Sequence, residues 1–114
     1  MVNRHRGETA LMVAGEALPM RLTLGALAEL EHAFAVDSLP ALGQRFVTGH
    51  LSARDIIRII AAGLRGAGKV IHDEEVAGLS FDGGLAGAIK AAIALLEATF
   101  GESEPARPQP PPEA

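Results

Sequence analysis

The apolar residues of this 114-residue chain change period at Leu24. Up to that point Leu18, Met20, Leu22 and Leu24 fall at every second position, with Pro19, Arg21 and Thr23 between them, the mark of a strand with one wet face. Beyond it Leu24, Leu27, Leu30 and Phe34 lie three or four apart, the spacing of one helix face. A single switch of this kind divides the chain in two. It leaves a short β segment followed by helices, in a chain without internal repeats.

Upstream, Thr9-Ala10-Leu11-Met12-Val13 is a short apolar run, and Ala14-Gly15-Glu16 supplies a turn, so the β segment reads as a hairpin. Pro19 lacks an N–H and suits an edge or an outward-facing donor position. Thr23 caps the first helix. Asp37-Ser38 caps a second one, with Pro40 in its first turn, Leu39, Leu42, Phe46 and Val47 on its apolar side, and Gly49 as its stop. Ser52-Ala53-Arg54-Asp55 is a strong start signal, because Ser52 accepts from the first turn while Asp55 reaches back. The helix it opens carries Ile56, Ile57, Ile59, Ile60 and Leu64 around much of its circumference and should be the central one, closed by Gly66-Ala67-Gly68.

Asp73-Glu74-Glu75 opens a short helix holding Val76 and Leu79. Asp82, read as an N-cap, precedes a longer helix whose expected buried stripe is Leu85, Ile89, Ala92, Ile93, Leu96 and Phe100, with alanines permitting close approach of a neighbour. The fold class that follows is mainly α (α+β): an N-terminal β-hairpin and about five short helices in one compact domain over residues 1–101. Residues 102–114, with Pro105, Pro108 and Pro110-Pro111-Pro112, hold nothing that could fill a core and read as a disordered Pro-rich tail.

Composition removes several function classes. There is no cysteine, hence no thiol nucleophile, disulfide framework or Cys-ligated zinc. The net charge of −4 gives no basic footprint for nucleic acid, and the four aromatic residues, all Phe, are too few for a base-stacking platform. No apolar run approaches the roughly 20 residues that span a bilayer. The N-terminal Asn3-Arg4-His5-Arg6 is followed by Gly7-Glu8 rather than by an apolar stretch, so it does not read as a secretory signal, and a cytoplasmic location is expected.

The motifs that could carry chemistry each have a plainer account. Gly63-Leu64-Arg65-Gly66-Ala67-Gly68-Lys69 has the glycine–lysine spacing of a phosphate loop. It follows a helix instead of a strand, however, and Val70 offers no hydroxyl for Mg²⁺, so a glycine helix stop is the better reading. Glu29 and His32 would share a helix face as in carboxylate-bridged metal sites, but only one copy of the motif exists. Asp73, Glu74 and Glu75 do not alternate as calcium ligands do, and they complement a helix dipole. The same acidic run argues against a helix-turn-helix reader, since phosphates would repel it. Arg54, Arg58 and Arg65 share a face by spacing and form at most a modest basic strip. No catalytic, metal or cofactor set emerges, and an interaction domain without enzymatic activity is expected.

The stretches Asn3-Arg4-His5-Arg6-Gly7-Glu8, Leu22-Thr23-Leu24-Gly25-Ala26-Leu27-Ala28-Glu29-Leu30-Glu31, Leu51-Ser52-Ala53-Arg54-Asp55 and Ala61-Ala62-Gly63-Leu64-Arg65-Gly66-Ala67-Gly68 together resemble one family. It is the small tail protein of gene transfer agents and related prophages of alphaproteobacteria. The family is similar to a tail assembly chaperone encoded just before the tape-measure protein, and is also labelled a tail tube component. The resemblance runs to about Phe100 and implies no catalytic residues.

It implies that the chain keeps the long helical tape-measure protein soluble in the cytoplasm of the producing bacterium while tail-tube subunits polymerise around it. The alternative is a structural tail subunit, a homo-oligomer resident in the particle tail, whose hairpins would pair edge to edge. A small helical regulatory domain is a third reading, disfavoured by the acidic balance. For the chaperone, the partner-binding surface is expected on the helix carrying Leu85, Ile89, Ile93 and Leu96, together with the hairpin face of Leu18, Met20 and Leu22, in the helix-in-groove mode. Against that stands the expectation that most of these seven side chains fill the core.

Overall fold

A computed structural model of the chain describes residues 7–48 and 50–101. Residues 1–6, Gly49 (read above as a helix stop) and the Pro-rich segment 102–114 lie outside the described residues. The elements run β1 (Glu8–Val13), β2 (Glu16–Arg21), α1 (Leu24–Ala33), α2 (Leu39–Thr48), α3 (Ala53–Gly66), α4 (Asp73–Ala77) and α5 (Gly84–Phe100). This is the hairpin and five helices that the change of period implies.

The strands pair antiparallel with Leu11 opposite Leu18 and Thr9 opposite Met20. Ala14 and Gly15, at φ 53° and 78°, both take the left-handed conformation that a two-residue type I′ turn needs. Thr9, Leu11 and Met20 are buried on one face. Counting from the turn, Pro19 opposite Ala10 falls at a pair that exchanges no hydrogen bonds, so its missing N–H would have pointed to the outer edge. The alternation runs on past the strand: β2 ends at Arg21, Leu22 is buried in the connection, and Leu24 becomes the first residue of α1, largely exposed. Leu24 was expected on the apolar face of both elements and serves neither. It opens the helix directly after Thr23, whose hydroxyl accepts the Ala26 N–H at 3.1 Å.

Helix α3 is the axis of the core. Ile56, Ile59, Ile60, Ala61, Ala62, Gly63 and Leu64 are all buried along it. Glycine is required twice here. A Cβ at Gly63 would sit 2.5 Å from Leu95 Cδ2 and 3.1 Å from Met20 Cβ, and one at Gly66 would overlap the carbonyl oxygen of Arg21. The phosphate-loop-like run is thus the place where β2 and α5 close onto α3, and Gly68, at φ 103°, turns the chain out of the helix.

Two ion-pair centres tie the helices together. The Arg65 guanidinium donates to Glu29 Oε1 on α1 at 2.8 Å, to Asp73 Oδ1 on α4 at 3.2 Å and to the Ile71 carbonyl at 2.9 Å. Burial opposes its charge, but the two carboxylates outweigh that and raise its pKa. This accounts for Glu29 and Asp73, and it turns Arg65 away from the basic strip its spacing suggested. The Glu75 carboxylate accepts the His72 N–H at 2.8 Å and starts α4.

Asp82 does not cap α5. The N-cap is Gly83, in the left-handed region. The Asp82 carboxylate instead accepts the Gly15 N–H at 2.9 Å, and its own N–H donates to the Met12 carbonyl at 3.0 Å, fastening the start of α5 to the hairpin tip. Sequence-local logic favours a cap because Asp stands just before a helix. The tertiary partner 67 residues away supersedes it.

Candidate functional site

Helix α5 carries two apolar stripes, about 100° apart around its axis. The first, Ala88, Ala92 and Leu95 followed by Ala98, is buried against β1 and α3. Alanines allow the helix to lie close to the hairpin, and Leu95 lodges beside Gly63. The second stripe holds the bulkier side chains Leu85, Ile89, Ile93 and Leu96. Leu85 is 71% exposed, Ile89 37% and Ile93 42%, while Leu96 is 9% exposed. The expected stripe therefore mixed two faces. Ala92 and Leu96 are buried, but Leu85, Ile89 and Ile93 are left out, because the core admits the small face.

These exposed residues form one wall of an apolar groove of about 780 Å³. The opposite wall is the end of α2, with Gly43, Phe46 and Val47. The floor is the connection His50–Ala53 and Ile56 at the start of α3. Phe100 and Gly101 close one end. Phe34, Phe46 and Phe100 brace that end, with Phe34 and Phe46 edge to face at 5.2 Å between centroids and Phe46 and Phe100 at 6.2 Å. The lining is thus mostly apolar, and it includes the exposed side chains of Leu85, Ile89, Ile93 and Val47.

The α2 wall is held in place by charge. The Ser52 hydroxyl accepts the Asp55 N–H at 3.1 Å, and the Asp55 carboxylate accepts the Ser52 N–H at 3.0 Å, a complete capping box. The same carboxylate takes Arg45 Nη2 of α2 at 3.3 Å, and the Arg45 guanidinium also lies over the Phe34 ring at 5.2 Å. Burial pushes the Asp55 pKa up, but the Ser52 N–H and hydroxyl and the Arg45 charge together hold it below its ordinary value.

Of the seven residues expected to bind a partner, the groove brings together Leu85, Ile89, Ile93 and Leu96. Met20 and Leu22 are a correction. Both are core residues, Met20 packed against Gly63 and Leu22 buried in the connection to α1, so neither is offered to a partner. Leu18 is half-buried against the core and does not line the groove. The lining contributed by Phe46, Val47, Leu51 and Ile56 was not anticipated. Its signal in the sequence was the adjacent pair Phe46-Val47 at the end of an amphipathic helix, where one core face cannot bury both.

Among the described residues no three His, Cys, Asp or Glu side chains come together as a metal site, and no helix is long and apolar enough to cross a membrane. Among known proteins, a family model described as "Phage tail tube protein, GTA-gp10" matches residues 6–102. No curated protein and no solved structure matches the chain.

Proposed function

The chain belongs to the phage tail tube protein family of the gene transfer agent type, GTA-gp10, and on that premise we propose that it is a tail assembly chaperone that holds the tape-measure protein in the α2–α5 groove during tail assembly. The observation that carries this reading is the exposure of Leu85, Ile89 and Ile93 on a helix whose other apolar stripe is already buried. Together with the exposed Val47 on the facing wall, burial of their exposed fractions against a partner is worth roughly 3–7 kcal/mol at 1.5–3 kcal/mol per fully buried aliphatic side chain. That suits a client that must later be released. The net charge of −4 keeps such a surface soluble when unoccupied. The activity is binding, carried out in the cytoplasm of the producing bacterium, and no residue is assigned a catalytic part.

A structural subunit of the tail is the second reading, favoured by the family's own description as a tail tube protein. The form of it that pairs hairpins edge to edge is opposed by three features. Pro19 stands at the outer edge of β2, the Arg21 carbonyl is against Gly66, and the Met12 carbonyl already accepts from Asp82.

Capture of the tape-measure protein by the wild type, and at least tenfold weaker capture by Ile89→Asp and by the more exposed Leu85→Asp, is the expected result. Equal capture by variants with wild-type circular dichroism would remove the groove from the proposal. Mass spectrometry of purified particles against producer-cell lysate separates the two roles: a chaperone is enriched in the lysate, whereas stoichiometric copies in finished tails would establish the structural subunit.

A further inference from the structure

Resting on the reading of the groove as the client site, we infer that its occupant is a single amphipathic α-helix of about three turns, with a basic residue reaching Glu97. The length comes from α5. Leu85, Ile89, Ile93 and Leu96 are spaced i, i+4, i+8 and i+11, a stripe of about 16 Å at 1.5 Å per residue.

The occupant is a helix because the walls are helices. The backbone groups of α2, α3 and α5 are largely engaged within those elements, and the Ser52 hydroxyl already takes the Asp55 N–H. An extended peptide would bring unmatched N–H and C=O groups onto an apolar lining, whereas a helix satisfies its own. Charge supplies the last element. Glu97 is the one carboxylate among the lining residues, in a chain of net charge −4, so a Lys or Arg on the client's polar edge finds a partner there.

The test uses fluorescein-labelled synthetic segments of about 20 residues tiling the tape-measure protein of the tail, titrated with the full chain and read by anisotropy and circular dichroism. Segments with apolar residues three and four apart and a flanking Lys or Arg should bind and gain helix. A central proline in such a segment should weaken binding at least tenfold. Glu97→Lys should weaken it three- to tenfold, and exchanging the segment's basic residue for Glu should restore it. Equal binding of the proline segment, or indifference to Glu97→Lys, would overturn the inference. If intact tape-measure protein is captured through the groove while no segment gains helix, the helical occupant is wrong and the chaperone reading stands. If the intact protein is not captured, the chaperone reading itself falls. A dimer of the free chain in sedimentation that Leu85→Asp abolishes would assign the groove to a second copy. Displacement of a bound segment by an equal concentration of a synthetic peptide of residues 102–114 would assign it to the chain's own Pro-rich segment. Either result would overturn the inference.

Discussion

Replacing Asp55 should destabilise the protein in a way that depends on pH, and the size follows from what the carboxylate touches. It accepts the Ser52 N–H at 3.0 Å and Arg45 Nη2 at 3.3 Å, with only 11% of its side chain exposed. Losing the cap interaction costs about 1 kcal/mol. Losing the charge-assisted bond costs about 1.5–3 kcal/mol where the partner stays buried. Arg45 is already under-satisfied, since its Nη1 is buried without a partner, although its side chain is 32% exposed and water screens part of the loss. Asp55→Ala should therefore cost about 2–3 kcal/mol, and Asp55→Asn, which keeps an acceptor for Ser52, about 1–2 kcal/mol. For a domain near 100 residues the alanine variant should melt about 10–20 °C lower. Urea denaturation followed by far-ultraviolet circular dichroism measures both.

The direction with pH is fixed by the depressed pKa of Asp55. Its stabilisation is fully present above the ordinary carboxylate pKa and is lost as pH falls through the lower folded value. The stability gap between wild type and Asp55→Asn should therefore be widest near neutrality and shrink as the solution is acidified below the ordinary carboxylate range. A gap that stays constant as the pH falls through that range and well below it, or an asparagine variant within about 0.5 kcal/mol (the scatter of surface substitutions) of wild type at neutral pH, would refute the charge argument. Because Arg45 precedes Phe46 on the α2 wall, Asp55→Ala should also weaken client capture through the groove, with no contact of its own to a client.

Other perturbations follow from equally local geometry. Ala14 holds φ 53° in the hairpin turn, so Ala14→Asn should stabilise by about 0.5–1 kcal/mol in the same urea assay. Gly66→Ala should cost about 2–3 kcal/mol, more than Gly63→Ala, because the Arg21 carbonyl in its way is backbone, while Leu95 Cδ2 can turn aside. Arg65→Met should lower stability by about 1–3 kcal/mol, less at high salt, because it frees Glu29, Asp73 and the Ile71 carbonyl together. Leu85→Lys, at a 71% exposed site, should leave the unfolding free energy within about 0.5 kcal/mol of wild type.

Much of this fold was legible wherever the deciding interaction spans a few residues. The Ser52–Asp55 capping box, the Thr23 cap and the turn at Ala14-Gly15 were each implied by neighbours in sequence and are present. The centrality of α3 followed from isoleucines on too many sides for one face. The features that escaped are long-range. Nothing near Asp82 announces Gly15, and nothing near Glu29 announces Arg65, because each pairing exists only after the chain has closed. Leu22 and Leu24 continued an alternation past Arg21, where β2 ends, since period two says which residues alternate and not where pairing stops.

Helix α5 shows why the candidate site was only partly legible. An apolar residue at helical spacing reports that a face will be covered, but not by what. In α5 two such faces adjoin, and reading the bulkier one as the core face is natural, because larger side chains gain more from burial. The hairpin inverts that preference. Its face already carries Leu11 and Met20, both fully buried, and α3 meets it through Gly63, so the space left for α5 fits alanines and one leucine. Turning α5 to bury Leu85, Ile89 and Ile93 would overfill that space while exposing only alanines, which have little to gain from a partner. The monomer's packing thus forces the helix to present its larger aliphatic side chains to the groove. A substitution that enlarges the inner face, such as Ala92→Leu, should accordingly destabilise the fold, by about 1–3 kcal/mol in urea denaturation. If it were neutral, the inner face would have room to spare, and the exposure of the outer stripe would lose its physical cause.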